Sequence, residues 1–283
     1  LLARHLPKYI PGKPTIVVEN MPGAATIIAS NYIYSVAKPD GLTLGAIDRG
    51  LPIAQLLKGE GIRFDLAKFS WIGSAAVEGT ILCLRTDLPY KTVDDLRKAK
   101  ETIFLGSVGQ ASNDYQFSIL LKEFAGFDFK IVTYVSSPGI SLAIERKEVD
   151  GRAGSYTSLK PMIERGVLRP WIRCRIPQEG IENLPVDEDL TTSQIGKVIM
   201  AMRAAPDRVG RPYVAPPGVP AEIMRILRES FDKVAKDPEL KAEAKKMMMA
   251  VDYVPADECL KVLSYVLSQP EDIVKEFSKY IKF

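Results

Sequence analysis

The feature that most restricts this chain is an alternation. Short β-branched runs and helix-patterned segments follow one another over most of its length, which specifies α/β architecture with mainly parallel sheets. Thr15 to Glu19 (TIVVE) reads as a strand, and Asn20-Met-Pro-Gly as the turn after it. Ala24 to Ala37 reads as a helix, Leu42 to Ile47 as the next strand, and Ser70 to Ala75 with Thr80 to Leu84 as a third unit. Thr92 and Asp95 have the spacing of a capping box, predicting a helix through Lys100. A second set begins at Thr102: a strand at Ile103 to Gly106, a small-residue loop, Ser112 as helix cap and Gly126 as its stop. Further strands are predicted at Lys130 to Val135, Val149 to Ser155 and Leu168 to Arg173, with Pro138 opening a helix. Arg211 to Pro220 (RPYVAPPGVP) reads as a crossover rich in proline and glycine. Helices follow at Pro220 to Asp237, Pro238 to Ala250, Pro255 to Ser268 and Glu271 to Phe283.

A length of 283 residues exceeds the usual single domain. We expect the helical tail to return onto the first domain, giving a discontinuous lobe of residues 1–101 and 207–283 and a second lobe of 102–206. The crossings fall near Lys100 to Ile103 and Ala201 to Pro206. Hydrophobic residues make up 46% and charged residues 26%, as in an ordinary globular protein. The net charge of +3 comes from interleaved acids and bases, so nucleic acid is not the expected partner. Lys241 to Lys246 reads as the solvated face of a helix, and Met247-Met-Met as core filling. No apolar run reaches the roughly 18 residues of a membrane span.

Three distant cysteines, Cys83, Cys174 and Cys259, without a CxxC spacing, argue for buried structural thiols rather than disulfides or a metal site. The single histidine, His5, would have to serve every imidazole-dependent chemistry, which removes most hydrolase mechanisms. No cofactor is expected. Asp114 or Glu145 could act as a base, yet no nucleophile, base and orienting group assemble from neighbouring motifs.

The most informative segment is Gly106-Ser-Val-Gly-Gln-Ala-Ser-Asn113. Small residues let main-chain N–H groups approach a ligand, and the following helix start adds unpaired donors and partial positive charge. An anion site and a plain strand-to-helix turn stand about even on spacing alone.

Short motifs in order carry a resemblance: Val17-Val-Glu-Asn-Met-Pro-Gly-Ala-Ala, Lys38-Pro-Asp-Gly-Leu-Thr-Leu-Gly, the Gly106 loop, Val149-Asp closing a helix-strand step, Ala215-Pro-Pro-Gly-Val-Pro-Ala, and Lys236-Asp-Pro-Glu-Leu. Together they resemble the extracytoplasmic solute receptors of tripartite tricarboxylate transporters, the Bug receptors. The resemblance implies a type II periplasmic-binding-protein fold, two lobes clamping an organic acid, membrane permease subunits as partners, a periplasmic location and a monomer. It implies Gly109, Ala111, Ser112 and Asn113 as the second-lobe carboxylate loop, and Gly154, Ser155 and Tyr156 as further contacts. The family often has His where Tyr115 stands and Pro at Asn113. Arg49 ends a strand where its guanidinium could pair with a second carboxylate; Arg152 lies in the strand Val149 to Ser155, with either face of the sheet open to it, and Glu78 and Gly79 are weaker candidates. The resemblance further implies a strand and a glycine-containing loop upstream of Leu1, which would supply the first-lobe half of the clamp, and a signal peptide before them. Effector domains of LysR-type regulators share this fold and supply the alternative function.

Overall fold

The computed structural model describes residues 1–281. Its strands in chain order are β1 (Gly45–Ala46), β2 (Ser70–Ser74), β3 (Thr80–Arg85), β4 (Ile103–Ser107) and β5 (Phe129–Thr133). β6 (Gly151–Ser155), β7 (Leu168–Arg173), β8 (Pro212–Ala215) and β9 (Val254–Pro255) follow. The helices are α1 (Leu2–His5), α2 (Ile27–Ser35), α3 (Leu51–Leu56), α4 (Val93–Arg97), α5 (Asn113–Ala125) and α6 (Ser137–Glu145). Then come α7 (Tyr156–Glu164), α8 (Gln194–Ala204), α9 (Ala221–Lys236), α10 (Pro238–Lys246), α11 (Ala256–Leu267) and α12 (Glu271–Phe277). The helix expected through Phe283 thus ends at Phe277, and Lys282 and Phe283 lie outside the described residues.

Two sheets result. The first has the order β1-β8-β2-β9, the second β5-β4-β6-β3-β7. The α/β class holds, but only the second sheet contains parallel pairs, and it is mixed. Only β4 pairs in parallel, with β5 and β6; β3 runs antiparallel to β6 and β7, and the first sheet is antiparallel throughout.

β3 explains how the second core is built. Its first five residues are buried, and alternate side chains point to opposite faces. Leu82 and Leu84 enter a cluster with α5 and α8, while Ile81 and Cys83 enter another with Ile140 of α6 and Leu159 of α7. A strand covered on both faces reads as a continuous apolar run, as TILCL does. Because β3 belongs to this sheet, the chain enters the second layer at Thr80, well before the expected boundary at 102.

Three other expectations change. Thr15 to Glu19 makes no sheet pairing, and Val17 and Val18 are exposed, because β-branched residues form a strand only where a partner offers a ladder. The supposed crossover after Arg211 contains β8, which lies between β1 and β2; Pro212 is tolerated because it is the first strand residue. Met247 and Met249 are exposed rather than core-filling. Two tail helices pack on the first sheet: Phe231 of α9 lies with Ile72, and Cys259 and Leu263 of α11 with Trp71 and Val214. Phe277 of α12, however, joins the second layer's cluster with Met200.

Local signals behaved as their chemistry requires. Thr92 and Asp95 form a complete capping box, Ser112 caps α5, and Gly126 ends it with φ 77°.

Candidate functional site

A cleft of about 880 Å³ opens between the two layers. Its walls come from the segment after β1, the approach to β8, the β4–α5 turn, the start of α6 and the end of β6. The last three belong to the parallel part of the second sheet, beyond the carboxyl ends of β4 and β6, where ligands sit in α/β folds.

Below the cleft the crossings are joined by a buried polar network. Asp207 is inaccessible to solvent and lies 2.7 Å from Arg49 Nε and 3.1 Å from Arg203 Nη2. The Thr80 hydroxyl donates to Asp207 Oδ2 at 2.8 Å, and Asn113 Nδ2 donates to Oδ1 at 2.9 Å. Burial pushes the Asp207 carboxyl up, but the Arg203 and Arg49 guanidiniums outweigh it and hold it below the usual range. Arg49 also donates to Thr80, Asn113 and the Gly210 carbonyl, so its guanidinium is committed to tying the layers together. At Gly50 the two layers touch through backbone alone: a Cβ there would stand 2.6 Å from the Ala111 carbonyl oxygen and 2.7 Å from the Asn113 nitrogen.

The helix start that the sequence singled out is occupied by the protein's own acids. Asp114 Oδ1 accepts from the Tyr115 amide at 2.8 Å and from the Ser107 hydroxyl at 2.9 Å, with the Ser112 hydroxyl also upon it. Its Oδ2 pairs with Arg152 Nη2 at 3.0 Å. Asp48 Oδ1 accepts the Gly50 amide at 2.7 Å, and the Asp48 carboxylate also lies near the Asn113 amide. The Gly109 amide donates to Ser107 Oγ, and the Ser112 amide to the Gly109 carbonyl.

Arg49, Asn113, Gly154 and Ser155 line the cleft, as does Arg152; Gly109, Ala111, Ser112 and Tyr156 are not among its lining residues. Glu78 and Gly79 lie at the crossing into β3, where Glu78 is buried and Gly79 donates to Gln178. Sequence reasoning missed Asp48, Asp114 as an anchored acid, and Arg211. Arg211 donates through Nε to Glu78 Oε1 at 3.0 Å and through Nη2 to Ser158 at 2.8 Å and Ser155 at 3.3 Å. No local signal marks it, since its partners are 53 to 133 positions away.

Gly109 has φ 121° and open space where a Cβ would point. Gly109→Ala is therefore expected to cost about 1–3 kcal/mol through backbone strain rather than collision, with ligand affinity retained. Thermal denaturation alongside calorimetry checks this; an unchanged melting temperature would show that the turn relaxes freely.

Other candidate groups lie apart. The three cysteines are free and buried, and burial pushes the Cys174 and Cys259 thiols up to about 12. His5 bonds to Glu243 at 2.7 Å, beside Asp237 and Glu239, where the Lys8 ammonium supplies the cation.

Two α/β layers facing one another across a polar cleft define a bilobal solute-binding fold. Solved structures agree. A periplasmic binding protein, BugD, superposes with a TM-score of 0.77 at 20% identity, covering 99% of this chain and 92% of its own. MatC from Rhodopseudomonas palustris, with bound malate, gives 0.77 at 18% identity over 96% of this chain and 92% of its own. A second R. palustris protein, with adipate, gives 0.77 at 17% identity over 99% and 91%. A search of curated protein sequences finds no match. The family model of the tripartite tricarboxylate transporter family receptor matches residues 10–278, so the chain belongs to that family. This family is a class of solute-binding receptors, and the regulator alternative is set aside. Among the described residues no helix is long and apolar enough to cross a membrane.

Proposed function

We propose that this chain is a non-catalytic periplasmic receptor that captures a small carboxylic acid in the cleft and delivers it to membrane permease subunits, acting as a monomer. The observation that carries this reading is the cleft itself: about 880 Å³ between two layers, with Arg49, Arg152 and Arg211 on its walls. Asn113, Gly154 and Ser155 are the accompanying ligand contacts. That two similar structures hold malate and adipate supports a carboxylate. The absence of turnover is supported by the cleft hydroxyls. Ser155 donates to Ser158, both accept from Arg211, and the one histidine is engaged with Glu243 elsewhere.

The test is calorimetry and thermal denaturation of the whole chain against mono-, di- and tricarboxylates and amino acids. A ligand at a hundred times its Kd stabilises the folded state by about 2.7 kcal/mol. At this chain length the melting temperature should rise by roughly 5–10 °C. Mass spectrometry of the mixture should return the acid unchanged. If no carboxylate of any class raises the melting temperature, the receptor reading fails.

A further inference from the structure

The charges on the cleft wall cancel. Arg49, Arg152 and Arg211 stand against Asp48, Asp114 and Glu145. A di- or tricarboxylate needs free donors for each acid group, and the α5 start would have to be open to receive one of them. Here Asp114 fills that start and pairs with Arg152, while Arg49 is spent on Asp207.

Two groups keep free capacity, and the sheet brings them together. β1 pairs with β8 in the register Gly45↔Val214 and Ala46↔Tyr213, and the Ile47 amide continues it by donating to the Pro212 carbonyl at 3.2 Å. Continued one step past the ends of the two strands, this register would set Asp48 opposite Arg211. Directly opposed residues in an antiparallel pair have Cα atoms roughly 4.5–5.5 Å apart. Opposite charges so placed would ordinarily pair. Instead Asp48 Oδ1 is drawn to the Gly50 amide, and Arg211 is drawn to Glu78, Ser155 and Ser158. Among the described residues, Asp48 Oδ2 and Arg211 Nη1 have no hydrogen-bond partner, and both residues line the cleft. The Arg211 side chain is 39% exposed, against 8% for Arg49 and Arg152.

We infer that the cleft takes an α-amino acid as its zwitterion, with the carboxylate on the free edge of Arg211 and the ammonium on the free oxygen of Asp48. This rests on the carboxylate-binding function proposed above. An α-amino acid carries its two charges on neighbouring atoms, as adjacent strand ends demand, and adds no net charge to a balanced wall. Glu78 and the two serines hold Arg211 in place from behind. Burial pushes the Asp48 carboxyl up to about 6, opposed by the Gly50 and Asn113 amides and by Arg49, and reinforced by Asp114. A ligand ammonium against Oδ2 would keep it ionised.

The experiment is calorimetry of the full chain with the standard amino acids, the 2-hydroxy analogue of the tightest one, succinate and citrate. We expect one or more amino acids to bind roughly tenfold or more tightly than the hydroxy analogue, which lacks the ammonium, and than either polycarboxylate. Asp48→Asn should abolish that preference, and Arg211→Gln should weaken amino acid and hydroxy acid alike by roughly tenfold or more. Circular dichroism verifies folding; were either variant unfolded, the parent's amine-to-hydroxyl ratio still decides. Binding of succinate or citrate with no amino acid bound overturns the zwitterion and leaves the carboxylate receptor standing. Failure of every carboxylate overturns both. An undiminished amine preference in folded Asp48→Asn overturns the role of Asp48.

Discussion

Asp207→Ala is expected to destabilise the protein by about 3–5 kcal/mol, the largest stability effect of any single side chain in the crossing network. The wild-type carboxylate is inaccessible and contacts two guanidiniums, Arg49 and Arg203. Removing it leaves both guanidiniums buried without a direct ion-pair partner; Arg203, itself 1% exposed, can escape to water only by opening the core. Thr80 and Asn113 lose an acceptor in the same step. For a chain of this size the melting temperature should fall by roughly 10 °C or more. The pH dependence has a definite sign. Asp207 titrates below its unfolded value, so its contribution is present above the unfolded carboxyl pKa and is lost as pH falls through the folded one. The parent should therefore lose its advantage over Asp207→Ala in acid. Equal melting temperatures for parent and variant at neutral pH would show that the network contributes no net stability.

Asp114→Asn should turn the mouth of the cleft into a site for external anions. In the parent, the Asp114 carboxylate neutralises Arg152 and occupies the α5 start. The amide is nearly the same shape but uncharged, so a buried cation and the helix dipole are left unmatched. Removing a negative charge about 4 Å from an incoming carboxylate relieves roughly 4 kcal/mol of repulsion at a near-surface effective dielectric. Succinate affinity should consequently rise by roughly tenfold or more, and should fall with ionic strength. Without an anion the variant should melt below the parent, because Arg152 is 7% exposed and has lost its partner; succinate should restore much of that loss. Calorimetry and melting curves with and without succinate test both halves. If the variant binds succinate no better than the parent, Asp114 does not guard the helix start.

These two residues also divide what local sequence can report from what it cannot. The Ser112 cap, the Gly126 stop and the Thr92–Asp95 box were legible because each is completed within a few residues, by a hydrogen bond or a left-handed φ that the residue types dictate. The buried run of β3 was legible because covering on both faces leaves a continuous apolar signature. The family's motifs likewise survived as ordered short segments, enough for the bilobal fold. Sheet membership was not legible. The apolar pattern of β3 is the same whichever sheet receives it, and Thr15 to Glu19 has every local property of a strand yet no ladder beside it. Pro212 hid β8 because proline speaks against a strand unless it stands at the start. The cleft's electrostatics lay furthest from view. A helix start with small residues predicts room for an anion, but which anion fills it depends on a carboxylate one position past the first helical residue. Arg211 gains its meaning only from Glu78, 133 positions away, and from Asp48 across a two-residue strand. Periodicity and capping are written within one or two helical turns. Charge pairing is set by distance in space, and only the folded chain decides it.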